Sequence, residues 1–364
     1  MDLFIVKSKK VESFYPLHFF RKIADLRTGI LTNRKRYSAI YNAQPVFIDE
    51  IPEKLTKGLY FFENFINYEK INAGDNTILV NNGEIVGYYI ISPIRKNEIQ
   101  ESVTVEGFKL NYGFDIIKFL PHTILKDFKL LDKHRLTDGF DFSGNEKDIY
   151  IGENVNIIGK TYLNADSGPI YIDDDVTFKG VNFIEGPCYI GKSSIVDSAK
   201  IRPGCSFGKV NRISGEIEHS LFLDYVNKHH DGFIGHSIVG DWVNLGALTT
   251  NSDLKNNYHN VKMVINGKTI DTGMLKMGTL IGDFSKTGIG TLINTGTVMG
   301  ISCNIFGGNV TDKFYPSFSW GNSSTIYSFE KAIDTIRITM RRRDVNLNDK
   351  TVEILRNVYK KERG

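Results

Sequence analysis

The densest group of reactive side chains in this sequence is the stretch Asn227-Lys228-His229-His230-Asp231-Gly232. A neutral imidazole here can take a proton from an amine or hydroxyl as that group attacks a thioester. His230 is the candidate catalytic base, and the adjacent Asp231 offers a carboxylate to orient it. A loop histidine taken alone is more often structural or merely exposed. A zinc site would draw on His219, His230, His236 and His259, but zinc needs three protein ligands and an open position, and this spacing matches no metal motif. No metal is therefore assigned. Arg341-Arg342-Arg343 is either a solvated basic turn or a phosphate contact. Near the N-terminus, Lys7-Ser8-Lys9-Lys10 follows the strand-like run Leu3 to Val6 with no glycine. Lysine charge attracts phosphate there, but it replaces a preorganised nest of backbone N–H groups poorly.

The elements that position these groups follow from a six-residue rhythm that begins near Ile151. Ile172, Phe178, Ile184 and Ile190 are spaced by six, as are Ile195, Ile201, Phe207 and Ile213, and again Ile281, Thr287, Ile293, Met299 and Ile305. That period fits neither an α-helix nor an alternating strand. It suits a short strand plus a turn, with one aliphatic side chain per hexad pointing inward. Glycine repeatedly follows the inward position, as in Ile190-Gly191, Val239-Gly240 and Ile281-Gly282, where φ is positive or a Cβ would clash. Three flat faces per coil close a triangular prism, each coil bonded to the next at about 4.8 Å. The rhythm breaks at 224–233 and at 252–278, two expected loops, the second carrying a hairpin around Asn266-Gly267. Beyond Trp320-Gly321, Phe329, Ile333, Ile336 and Met340, then Val352, Leu355 and Val358, fall at helical spacing.

The first 140 or so residues mix strand-like runs (Leu3–Val6, Pro45–Ile48, Thr77–Val80, Val86–Ile91) with helical stretches at Ser38–Asn42 and Ile116–Asp132. This texture predicts an α/β domain over 1–140, a linker at 133–147, a left-handed parallel β-helix over 148–321 and a helical tail over 322–364. With 45 basic and 42 acidic residues the net charge is only +3, so no global field points to nucleic acid. Cys188, Cys205 and Cys303 form no even framework and read as reduced thiols in a core. The first twenty residues do not read as a signal peptide, and no run of about 18 apolar residues exists, so a cytoplasmic chain with no membrane partner is expected.

Longer strings carry a resemblance. They are Phe14-Tyr15-Pro16-Leu17 running to Arg21, Ala24-Asp25-Leu26-Arg27-Thr28-Gly29-Ile30-Leu31-Thr32, Ser214 to Glu218, Gly240 to Ala247, Ser252 to Tyr258, and Pro316 to Gly321. On these the β-helix resembles the acetyltransferase half of the bifunctional N-acetylglucosamine-1-phosphate uridyltransferase/glucosamine-1-phosphate N-acetyltransferase family. The whole chain is similar to its compact sugar-nucleotidyltransferase-like relatives in Bacteroidetes. The resemblance implies an acyltransferase that uses acetyl-CoA or another acyl-CoA on an amino-sugar phosphate or nucleotide sugar, assembled as a homotrimer. It puts His230 on the catalytic base, Arg202 on the sugar phosphate, Asn244 on the acceptor and Ala247 on the cofactor. Asn257, Tyr258 and Lys262 match a further substrate-binding segment, and Arg21 and Arg27 are the substrate contacts implied in a reduced nucleotidyltransferase-like domain. Two positions depart from the pattern: Phe233 replaces an acceptor-binding tyrosine, and Glu218-His219 replaces a lysine pair. The glycine-rich signature of the nucleotidyltransferase half is absent. Mg2+ would be needed only if that half is active with UTP or dTTP. A non-catalytic scaffold binding a sugar nucleotide is the third alternative.

Overall fold

The computed structural model describes residues 1–364. Its N-terminal part is a six-stranded sheet in the order 46–48, 2–6, 58–62, 84–90, 77–81, 101–104, with Asp2–Val6 parallel to both neighbours. Helix α1 (Asn33–Tyr41) starts where the Thr32 hydroxyl accepts the Lys35 N–H. It stacks Tyr37 on Phe61 at 4.5 Å. Helix α2 (Asp115–Leu131) buries Ile116, Ile117, Leu120, Ile124 and Phe128 in a 25-residue cluster shared by the sheet domain, the prism and the 252–278 excursion.

From residue 135 onward the chain winds as a left-handed parallel β-helix. One face is a nine-stranded parallel sheet, and its inward column runs Ile151, Ile172, Ile190, Phe207, Phe222, Val239, Ile281, Met299, Tyr315. The six-residue rhythm is therefore borne out, with one shift: Val196 is buried in the second-face column and Ile195 points outward. The segment expected as a linker already winds into the solenoid, since Asp141–Ser143 pairs with Tyr162–Asn164. The glycines after the first face serve close approach rather than positive φ: a Cβ on Gly191 would sit 2.6 Å from the Gly208 backbone of the next coil. The left-handed corner falls two residues later, at Ser193, Val210, Tyr225, Trp242, Phe284 and Ser302.

Residues 224–233 are not a loop. Asn227–Lys228 pairs with Arg212–Ile213 in an ordinary coil, and the rhythm seemed to break because a lysine fills an inward position. The excursion at 252–278 is real, and its hairpin pairs Lys262–Ile265 with Lys268–Asp271. Helices α3 (Phe329–Arg341) and α4 (Asp349–Arg363) pack Ile333, Ile336, Met340, Leu355 and Val358 against Phe284, Ile301 and Phe318 of the prism. The three cysteines are free and buried.

Charged pairs join the two domains. Arg21 donates to Asp241 at 2.7 Å and to Asp283 at 2.9 Å, and Arg27 lies 3.7 Å from Asp224. These aspartates occupy equivalent corners of successive coils, and Asp241 and Asp283 each accept the backbone N–H of the previous one. Removing one partner of a buried pair leaves the other charge uncompensated, at a cost of roughly 3–5 kcal/mol. Arg21→Ala is therefore expected to lower the urea-unfolding free energy by about that amount, and adding Asp283→Asn to recover part of it. Equal stability of Arg21→Ala and wild type would show that the joint carries no load.

Candidate active site

Coil stacking decides which side chains meet. On the outward side of the second face the column runs Arg212, Asn227, Asn244, Lys286, Asn304. Asn227 and Asn244, 17 positions apart, are hydrogen-bonded through their amides at 2.7 Å. A cavity of about 240 Å3 opens over this column, lined by Tyr225, Asn227, Trp242, Val243, Asn244 and Lys286 on the prism and by Thr339, Arg342 and Arg343 at the end of α3.

His230 sits one corner away, exposed on the edge between the second and third faces. Ala247 lies on the same edge one coil further on, where the Leu248 N–H donates to the Asp231 carbonyl at 2.9 Å. Asp231 thus contributes its backbone to the corner, and its carboxylate makes no ion pair with His230. The group that fixes this turn is Lys228. Its side chain points into the prism, 2% exposed, and its ammonium donates to the His230 carbonyl at 2.7 Å and to the Ser214 carbonyl at 2.9 Å. Burial pushes the Lys228 ammonium down to about 8. His229 is half-buried, its Nδ1 has no partner, and burial lowers its pKa, which favours the neutral imidazole.

The other expected site residues lie elsewhere. Arg202 occupies a different corner, between the third and first faces, 3.7 Å from Glu216. Asn257, Tyr258 and Lys262 belong to the 252–278 excursion, where Tyr258 and Lys262 line a separate polar cleft with His259 and Asp271. Arg21 and Arg27 are taken up by the interdomain aspartates, and Arg27 also donates to the Ile30 carbonyl at 2.6 Å. Glu218 is neutralised by Lys276 at 3.5 Å. His219 bonds the Ile117 carbonyl and stacks on His236, whose Nδ1 is 2.7 Å from Asp253.

A second cleft, about 700 Å3, lies at the carboxyl ends of strands 2–6, 46–48 and 58–62, where open α/β sheets bind ligands. Lys7, Lys9, Lys96, Asp49, Glu50, Phe62 and Tyr88 line it. However, the N–H of Ser8, just past the first strand, donates to the buried Glu63 carboxylate at 2.9 Å, and that carboxylate also accepts the Ala24 N–H. The Glu63 carboxylate therefore takes up backbone N–H groups beside this cleft. The chain holds no group of three or more His, Cys, Asp or Glu side chains able to hold a metal ion. No helix is long and apolar enough to cross a membrane.

Comparison with known proteins agrees with the resemblance to bifunctional nucleotidyltransferase/acetyltransferases. The chain is 28% identical over 272 residues to a bifunctional sugar-1-phosphate nucleotidylyltransferase/acetyltransferase of Sulfurisphaera tokodaii, covering 72% of this chain and 61% of that protein. It is 26% identical over 228 residues to the bifunctional protein GlmU of Wigglesworthia glossinidia brevipalpis, covering 57% and 47%, and 30% identical over 100 residues to that of Methanocaldococcus jannaschii, covering 28% and 24%. The chain thus spans about three fifths or less of the length of these relatives. No protein-family model matches it.

Because the folded-state pKa of Lys228 is about 8 and that of an unfolded lysine is about 10.4, the unfolded chain binds more protons between these values. Stability accordingly rises with pH across that window. In urea melts from about pH 7 to about pH 10, the stability of wild type relative to Lys228→Met is expected to increase with pH. A difference that stays flat would mean the ammonium is not held away from water.

Proposed function

We propose that this homologue of bifunctional sugar-1-phosphate nucleotidyltransferase/acetyltransferases transfers an acyl group from acyl-CoA to the amine of an amino-sugar phosphate or nucleotide sugar. The observation that carries the proposal is the edge on which coil stacking places His230 beside Ala247, one corner from Asn244. His230 takes the proton of the attacking amine, and the Lys228 bond to its carbonyl holds the turn in place. Asn244 holds the acceptor, its amide orientation set by Asn227.

The residues present fit an acyl-CoA. Leu248 (61% exposed) and Ile289 (83% exposed) extend the His230 edge as an apolar strip, and nothing lies within 4 Å of a Cβ built on Gly290 or Gly307. When bound, the cofactor supplies the activated thioester. The apolar side chains exposed on this edge support assembly with further copies as a homotrimer, since exposed apolar surface marks association sites. Glu218 and Phe233, standing where the family pattern has lysine and tyrosine, favour an acceptor gripped differently from glucosamine 1-phosphate, whose identity a panel of amino sugars resolves.

Incubation with acetyl-CoA and glucosamine 1-phosphate or related amino sugars is expected to release free thiol, and His230→Ala to slow that release by about 10²–10⁴-fold. Release undiminished in His230→Ala, or no release with any amino sugar, contradicts the assignment. Light scattering is expected to give the mass of three chains, and Leu248→Glu with Ile289→Glu to give that of one; a wild-type monomer would remove the shared-edge arrangement. A second reading, sugar-1-phosphate nucleotidyl transfer, is supported by the lysine-lined cleft of the N-terminal sheet. It requires pyrophosphate release from UTP or dTTP that survives His230→Ala.

A further inference from the structure

We propose that the cavity between the second face of the prism and the end of α3 is an anion site that takes a phosphate or diphosphate ester. The cavity shares Asn244 with the acyl-transfer reading, but anion binding there is measured without turnover and stands or falls separately from His230.

Three cations, Lys286, Arg342 and Arg343, line the cavity, and no carboxylate does. Arg212 stands next in the same column and feels the charge of Arg343. None of the four makes an ion pair, whereas sixteen are made elsewhere in the chain, including those of the neighbouring Asp224 and Asp241. The only hydrogen bond of the Lys286 ammonium is a long one, 3.4 Å, to the Phe284 carbonyl. Burial with no counter-charge lowers it to about 8. Grouped cations with no internal partner are costly to hold together, and an anion offsets that cost.

The neutral groups in the cavity are also donors. Asn227 gives its NH2 to the Asn244 Oδ1, which leaves the Asn244 NH2 without an intramolecular acceptor. The wall is rigid: Tyr225 and Trp242 stack at 4.0 Å with their planes 5° apart, both on left-handed corners of successive coils. Two arginine forks and an ammonium around a donor amide match phosphoryl oxygens, for which guanidinium is the preferred partner. At about 240 Å3 the cavity falls below the roughly 300–1,000 Å3 of pockets that hold drug-sized ligands. It suits a diphosphate or the phosphoryl end of a sugar phosphate, with the remainder of a larger ligand lying outside.

Calorimetric titration of the full chain with inorganic pyrophosphate at low salt tests this directly. Wild type is expected to bind, and Lys286→Met and Arg343→Gln each to weaken binding by at least about tenfold with the circular-dichroism spectrum unchanged. Lys286→Met is also expected to resist urea better than wild type when no anion is present, because it removes an unpaired, half-buried charge. Lys9→Gln with Lys96→Gln, in the N-terminal cleft, is expected to leave the affinity unchanged. Absence of wild-type binding up to about 10 mM, unaltered affinity in both cavity variants, or loss of binding only in the Lys9/Lys96 variant would each overturn the proposal.

Discussion

The coil-to-coil hydrogen-bond ladder is the constraint from which the rest of this structure follows. Each strand of the prism must bond to its equivalents above and below at a spacing of about 4.8 Å, so outward side chains are forced into columns. Asn227, Asn244 and Lys286 are neighbours for that reason alone. The ladder also dictates what the corners tolerate. A side chain at Gly191 or Gly240 would enter the backbone of the next coil, while Tyr225, Trp242 and Phe284 accept left-handed backbone and stack outward in return. The prism thus spends conformational freedom at its corners and recovers it in aromatic packing against α3 and α4.

Buried carboxylates take up the free backbone N–H groups of the N-terminal domain. Glu63 receives the N–H groups of Ser8 and Ala24, and Asp127 receives those of Ile30 and Leu31 together with the Nε–Nη2 edge of the Arg36 guanidinium. Gly29 is needed there because a Cβ would lie 2.5 Å from the Asp127 carboxylate. The string from Ala24 to Thr32 therefore works as a structural joint, binding α1, α2 and, through the Gly29 carbonyl and Ser206, the first face of the prism. The N-terminal sheet keeps a cleft of about 700 Å3 at the carboxyl ends of its parallel strands, but without a free nest of N–H groups. By contrast, the prism carries cations with nothing to neutralise them. Charge complementarity thus points a phosphorylated ligand toward the β-helix.

Much of the fold was legible in the sequence because a period of six is incompatible with other regular structures and repeats over many coils. Ile172, Phe178, Ile184 and Ile190 announced themselves, and the Asn266-Gly267 hairpin did so through its turn chemistry. What misled was any position where a polar group broke the pattern for a reason visible only in three dimensions. Lys228 hid an ordinary coil because lysine is almost never fully buried, and the two carbonyls that satisfy it come from residues 214 and 230. Arg21 and Arg27 matched substrate contacts in type, but their partners, Asp241, Asp283 and Asp224, lie about 200 or more residues away and give no local signal. Lys286 passed unnoticed among hexads for the same reason. Arg342 and Arg343 were visible as charges, but only the packing of α3 against the prism shows what they face.

On the proposed function, chemistry resides on the prism and the N-terminal sheet serves as its platform. A crystal structure of the protein with coenzyme A and glucosamine 1-phosphate tests this most directly. Ligand density is expected along the edge bearing His230 and Ala247, with phosphoryl oxygens facing Asn244, Lys286 and Arg343. Density confined to the cleft lined by Lys7, Lys9 and Lys96, with the prism bare, would contradict it.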